Sequence, residues 1–257
     1  TNKLQVFVFA MLFVVGAFTG CVDEDDDDDT TTTTVDTTIK IGFLNPITGP
    51  LEPDAPGFKW GADQAIMDLN KLYPNETFEL VELDSGCSGD VAGPAAQTLV
   101  DSGVVAVVGA ACSGASMGAN AVLAAAGIPM ISYASTNPGL SDEAAYPHFY
   151  RNVPSDAIQG PAGAAMMADA GVTNESLAIL HMTNDYGSGL ADSIKAAWEV
   201  DGSLCSAGMQ GYEETTTDFT TMASNITDAS DCNAVYLSSY ITDAAGILEA
   251  LADANFT

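Results

Sequence analysis

Residues 104–138 read VVAVVGAACSGASMGANAVLAAAGIPMISYASTNP, and this stretch decides the fold. The apolar run 104–109 predicts a strand, and the small residues 110–115 a loop. Residues 114–126 predict a helix, and 129–133 a second strand that ends in Ala134-Ser135-Thr136. Two strands joined through a helix make a parallel βαβ unit. In an open sheet of such units, ligands settle at the carboxyl ends of the strands. A helix N-terminus, here near Ser113, offers free N–H groups and a positive dipole end to an anion such as a carboxylate. The stretch therefore describes a place to hold a small molecule.

The alternation continues on both sides. Upstream come a strand at 39–44, the loop Asn45-Pro46-Ile47-Thr48-Gly49-Pro50, a helix at 58–72, a strand at 78–84 and a helix at 90–102. In the first of these helices Trp60, Ala62, Ala65, Ile66 and Leu69 offer an apolar face. The Pro-containing stretch 146–154 breaks the rhythm. It then restarts with helices at 156–170, 187–200, 218–229 and 242–254 between strands at 176–181, 203–208 and 234–239. The expected architecture is α/β, with two Rossmann-like parallel-sheet lobes, 39–153 and 154–257, joined by a hinge near Val153-Pro154. The second lobe stops after a helix where a strand is due, so the chain reads as C-terminally truncated. It also begins Thr1-Asn2-Lys3 without an initiator Met, as a fragment would.

The N-terminus reads as an export segment. Lys3 precedes the apolar run 6–18, too short for a confident spanning helix and suited to the h-region of a signal peptide, 1–20. Phe18-Thr19-Gly20-Cys21 resembles a lipoprotein signal, which makes Cys21 the expected lipidated residue. The alternative is an uncleaved membrane anchor. Residues 21–38 follow, rich in Asp and then Thr. Like charges repel and polar residues bury nothing, so this segment is expected to be a disordered tether. It lacks the interleaved Gly and terminal Glu of a calcium loop. Asn75, Asn174, Asn225 and Asn255 match the N-glycosylation pattern.

The formal net charge is −29, from 35 acidic and 6 basic residues. The seven acids at 23–29 account for only part of it. Nucleic acid is electrostatically excluded as a partner, and a multiply negative ligand is disfavoured. With Cys21 set aside, four cysteines remain for an oxidising compartment. Cys87 and Cys112 each follow strands expected to be neighbours, so a bridge at the carboxyl edge of the sheet would pin the Ser113 loop and contribute about 3 kcal/mol. Cys205 and Cys232 lie near the starts of two later apolar runs and can pair likewise. The competing reading is a Cys-based metal site, which C-x-x-C spacing would support. That spacing is absent, so no metal and no cofactor are expected.

Two motifs invite chemistry. Gly114-Ala115-Ser116-Met117-Gly118 matches G-x-S-x-G between a strand and a helix, the setting of a hydrolase nucleophile. Its base would have to be His148 or His181, neither placed to follow an acid in the same sheet; both read as ordinary packed residues. Tyr186-Gly187-Ser188-Gly189 lacks the third glycine and the distal acid of a dinucleotide fingerprint. Trp60 and Trp198 read as core. Arg151 stands beside the lobe junction.

Together these residues resemble the type I periplasmic-binding-protein fold, and within it the leucine/isoleucine/valine-binding proteins of branched-chain amino-acid ABC transporters. The resemblance runs from about Ile39 to the end. It is carried by Ile39-Lys-Ile-Gly, Thr48-Gly-Pro, Gly61-Ala-Asp-Gln-Ala-Ile, the Cys87/Cys112 pair with Ser113, Pro129-Met-Ile-Ser-Tyr-Ala-Ser-Thr-Asn-Pro, Gln159-Gly-Pro and Asp185-Tyr-Gly-Ser-Gly-Leu. It implies that Ser113 and Thr136 hold a ligand carboxylate, with Ser135 between the site residues. The Ala134 carbonyl would take the ammonium, and Tyr186 and Tyr240 would close over the ligand. Asp54 stands where the family offers an aromatic, which opens the pocket to a small or polar side chain. The family's ammonium-pairing acid falls beyond Thr257.

The resulting expectation is a lipid-anchored solute-binding protein that captures an amino acid or small amide and docks on a membrane permease, with no bond made or broken. The rivals are a ligand-sensing receptor ectodomain of the same fold, an esterase using Ser116, and a purely structural surface protein.

Overall fold

The structure, a computed structural model, describes residues 37–200 and 202–256. The signal peptide, Cys21 and nearly all of the acidic tether lie outside the described residues. Thr37 and Thr38, at the expected end of the tether, already belong to the first strand.

Five strands form the first sheet: β1 (Thr37–Asn45), β2 (Glu76–Asp84), β3 (Ala106–Val108), β4 (Met130–Ser132) and β5 (Phe149–Arg151). Their order is β2-β1-β3-β4-β5, and every neighbouring pair is parallel. Alternation along β1 sorts the helices to opposite faces. Gly42 meets Leu99, and Leu44 packs in one core with the inner faces of α2 (Gly89–Asp101) and α3 (Ser113–Ala125). Ile41 and Phe43 instead face Phe58 and Ala62 of α1 (Ala55–Leu72).

The second sheet has the order β7-β6-β8, built from β6 (Leu177–Met182), β7 (Met209–Tyr212) and β8 (Ala234–Ser238), again parallel. All six residues of β6 are buried, as a central parallel strand covered on both faces requires. Leu177 and Ile179 pack with α4 (Asp156–Asp169) and α5 (Asp185–Trp198). Ala178, Leu180 and Met182 pack with α6 (Thr220–Asp228) and α7 (Ile241–Asp253). Burying each of these Leu and Ile side chains contributes roughly 2 kcal/mol.

Cys87 bonds to Cys112 and Cys205 to Cys232, at sequence separations of 25 and 27. All four described cysteines are therefore consumed, which removes the metal alternative for them.

The sequence reading departs from the structure in three places. The 146–154 break contains β5, a strand too short to show a period. The apolar run 203–208 is not a strand. Gly208 adopts φ 63° and its N–H closes a turn on Cys205 O, so pairing with β6 through a regular strand starts only at Met209. Trp60 is 67% exposed. The inward stripe of α1 runs through Phe58, Ala62, Ala65, Ile66 and Leu69, and two residues from Phe58 a side chain points away. Trp198 is buried, with its indole N–H donating to Ser203 O at 3.1 Å.

Candidate functional site

The helices differ at their starts. Ser88, Ser155 and Asn184 cap α2, α4 and α5 by accepting backbone N–H groups at 3.2, 3.2 and 2.8 Å. Cys112, at the head of α3, makes no side-chain cap bond, as is also true of Asp54, Phe219 and Tyr240 at the heads of α1, α6 and α7; the Cys112 sulfur is in the disulfide. The leading amides of α3 therefore point, without a side-chain acceptor, at the carboxyl end of β3. Ser113, the first residue of α3, is buried, and its hydroxyl accepts the Asn137 N–H at 3.2 Å.

A cleft of about 360 Å³ lies against this helix start. One wall carries Cys87, Ser88, Gly89, Cys112, Ser113 and Gly114; the other carries Thr183, Asn184, Asp185 and Tyr186, with Glu213, Glu214, Thr215 and Tyr240 from the loops after β7 and β8. The two walls touch. Asn137 Nδ2 donates to the Asp185 carbonyl at 2.5 Å, and the Tyr240 hydroxyl reaches Cys87 Sγ at 3.6 Å. A Cβ on Gly114 would lie 2.6 Å from Asp185 Oδ2, so a larger residue there would make that carboxylate turn aside. Tyr186 and Tyr240 stack with centroids 5.3 Å apart and planes 11° apart. Burial, with the charge of Asp156 and then Tyr236 adding to it, pushes the Tyr186 hydroxyl up to about 12. Burial also raises Tyr240. Both tyrosines are thus neutral hydroxyl-bearing rings at neutral pH.

Of the residues the sequence singled out, the cleft gathers Ser113, Tyr186 and Tyr240 beside the Cys87–Cys112 bridge. Ala134, Ser135 and Thr136 are not part of its lining. Ser135 is wholly buried and its hydroxyl turns inward, bonding to the Ala110 and Ala111 carbonyls at 3.1 Å each and to Ser116 Oγ at 2.8 Å. That hydroxyl braces the β3–α3 loop. Thr136 Oγ1 donates to Asp156 Oδ2 at 2.9 Å. Asp54 ends an exposed 3-10 turn, Glu52–Asp54, outside the cleft.

Ser116 is also wholly buried. It accepts the Ala110 N–H at 3.1 Å and sits within the first turn of α3, not at the tip of a strand–helix elbow. The glycines of that motif serve packing: a Cβ on Gly118 would lie 2.5 Å from Gly89 Cα, where α2 and α3 cross. His181 Nδ1 lies 2.8 Å from the Met182 carbonyl inside the second lobe. A larger hollow, about 740 Å³ and lined almost wholly by apolar side chains, lies between α1 and the first sheet, on the face that carries no other described helix. The side-chain hydroxyls in its lining are those of Tyr133, which donates to the Leu44 carbonyl, and Tyr150.

Sequence reasoning missed Asp156, Asn137 and Asp185. Ser155-Asp156 and Asn184-Asp185 look like ordinary helix starts, cap followed by acid, and nothing local marks either acid as more than that.

Two parallel-sheet lobes that meet across a polar cleft, with an uncapped helix start on one wall and stacked tyrosines on the other, define a fold suited to enclosing a small molecule. The chain belongs to the periplasmic binding protein family, whose model matches residues 38–257. It is 29% identical over 194 residues to the leucine-, isoleucine-, valine-, threonine- and alanine-binding protein of Pseudomonas aeruginosa, covering 75% of this chain and 51% of that protein. It is 32% identical over 159 residues to the leucine-specific-binding protein of Salmonella typhimurium, covering 61% and 42%. The chain thus spans about half the length of these curated relatives. Among solved structures it superposes on the branched-chain amino acid transporter substrate binding protein LivJ of Streptococcus pneumoniae in complex with isoleucine. The TM-score is 0.74 at 25% identity, covering 86% of this chain and 62% of that one.

Proposed function

We propose that this chain is the solute-capturing part of an ABC transporter. It takes an amino acid, of branched-chain type or a related small amino acid or amide, between lobes 39–153 and 154–257 and delivers it to a membrane permease. Export by the 1–20 segment and a lipid on Cys21 belong to the same proposal. Among the described residues no helix is long and apolar enough to cross a membrane. The reading assigns the ligand carboxylate to the α3 start at Ser113, the ammonium to the Ala134 side of the site, and closure to Tyr186 and Tyr240. No bond is broken, and motion about the Val153-Pro154 region opens and closes the cleft.

The observation that carries this reading is the uncapped start of α3 at the carboxyl end of β3, facing Tyr186 and Tyr240 across the cleft. The amino-acid-binding relatives support it. Calorimetric titration with leucine, isoleucine, valine, threonine and alanine tests it. Saturable binding of at least one is expected, and no binding of any of them sinks the proposal.

A further inference from the structure

Asn137 stands between the two lobes with each of its polar groups in use. Its backbone N–H donates to the Ser113 hydroxyl oxygen at 3.2 Å, and its carbonyl accepts the Arg151 guanidinium at 2.9 Å. That guanidinium also donates to the Ser135 carbonyl and the Ser141 hydroxyl. Asn137 Oδ1 accepts the Gly139 N–H at 2.7 Å, capping the 3-10 turn Pro138–Ser141. Pro138 confines the residue before it to extended backbone, and Asn137 has ψ 130°. Three bonds and a proline thus fix Asn137 within the first lobe. What remains is the Nδ2 amide, and it crosses to the second lobe, donating to the Asp185 carbonyl 48 residues along the chain.

The far side is shaped to receive it. Asp185 is the first residue of α5, and its carbonyl belongs to the peptide that leads into Tyr186, a ring on the cleft wall. Gly189 lies one turn further along the same face of the helix. A Cβ there would stand 2.6 Å from Asn137 Nδ2, so a larger residue pushes the amide off its acceptor. Asp185 lines the cleft and also an outer groove, which it shares with Asn137, Pro138 and Ser188. The Asn137–Asp185 bond therefore stands between the two hollows. Asn137 also orients Ser113: its N–H occupies the hydroxyl oxygen, so the Ser113 proton stays free to be donated.

We propose that Asn137 is the latch of the cleft, a positioning residue that holds the lobes together over a bound amino acid. Asn137 is not among the residues lining the cleft, so it acts through Asp185 and Tyr186 and not by contact with the ligand. This rests on the cleft being an amino-acid site and deepens it. A bond made where the lobes meet stabilises the closed arrangement. It slows release and leaves capture, which takes place before the lobes meet, unchanged. Gly189 is the seat of the latch, which gives that glycine of the Tyr186-Gly187-Ser188-Gly189 stretch a role unconnected with nucleotides.

The test is the rate at which bound amino acid leaves, with radiolabelled leucine, or whichever of isoleucine, valine, threonine and alanine the parent binds most tightly, chased by the unlabelled compound. Parent, Asn137→Ala and Gly189→Ala are compared. Each variant is expected to release about three- to tenfold faster, the range of one neutral hydrogen bond, with the association rate unchanged. Alanine suits a helix better than glycine, so Gly189→Ala without ligand is expected to melt no lower than the parent, which separates its faster release from a folding defect. Release from Asn137→Ala at the parent rate overturns the inference and leaves the transport reading standing. A change in association rate alone overturns it as well. A parent that binds none of the five amino acids overturns both. Should Asn137→Ala fail to fold, Gly189→Ala decides by the same rate.

Discussion

Thr136 and Asp156 clasp each other twice: the Asp156 N–H donates to the Thr136 carbonyl at 2.9 Å and the Thr136 hydroxyl donates to Asp156 Oδ2 at 2.9 Å. One partner follows the fourth strand of the first sheet; the other opens the helix that packs on the second. The pair ties the two lobes together, alongside the Asn137–Asp185 and Cys87–Tyr240 contacts.

The pair sets a pH dependence. Burial lifts the Asp156 carboxyl above the ordinary 3.8, so the folded chain holds this proton more tightly than the unfolded chain does. Its contribution is greatest below the unfolded pKa and is lost as pH rises through the raised folded value. Asp156→Asn without ligand should therefore melt about 2–4 °C above the parent at pH 7, with the gap closing below about pH 4. Thermal melts across that range check this, and a variant that melts lower at pH 7 contradicts it.

Asp84 behaves in the opposite sense. Burial alone would raise it, but donors outweigh burial: the Thr48 hydroxyl at 2.6 Å, the Gly86 N–H at 2.8 Å and the Thr48 N–H at 3.1 Å hold the carboxylate below its ordinary range. That stabilisation is present above the unfolded pKa and is lost as pH falls through the lowered folded one. Asp84→Asn should cost about 1 kcal/mol at pH 7, the half-exposed setting being allowed for. Denaturant titrations should show the cost vanish in acid.

Ser113→Ala removes the acceptor of the Asn137 N–H and one hydroxyl of the cleft. Together with Thr136→Ala it tests the two hydroxyls that the family resemblance puts at the ligand. Each should weaken leucine binding by about tenfold or more. Ligand-induced thermal shifts that match the parent in both variants would remove the α3 start from the site.

Opening the second disulfide tests the other lobe. Cys205 and Cys232 enclose a separation of 27 residues. Replacing both by Ser should lower stability by about 3–4 kcal/mol, seen as an earlier unfolding midpoint in urea.

At Gly118 an added methyl would sit 2.5 Å from Gly89 Cα. Gly118→Ala should force α2 and α3 apart at a cost of about 1–3 kcal/mol. Because α3 carries Ser113, leucine affinity should fall with it. A melt and a titration on one sample separate the two effects.

The parallel sheets, their helices and the facing cysteines were legible in residues 39–254, because apolar periodicity is local and strand ends in βαβ units become neighbours by rule. Ser113 was placed past a strand end by the same rule, while Tyr186 and Tyr240 came from the family resemblance; the structure sets the three along one cleft. Burial and charge balance were not. Ser135 looked like a site hydroxyl, and only the Ala110 and Ala111 carbonyls, brought over from the neighbouring strand, turned it inward. Trp60 looked like core until α1 chose its stripe. Asp156 looked like a routine first-turn acid. What isolates it is an arginine occupied elsewhere and a threonine from the opposite lobe. Sequence thus determined which elements form and in what order, since that depends on neighbours along the chain. Tertiary structure decided which polar groups are spent on the fold and which are left without a partner, since that depends on groups more distant in sequence arriving with or without a matching charge.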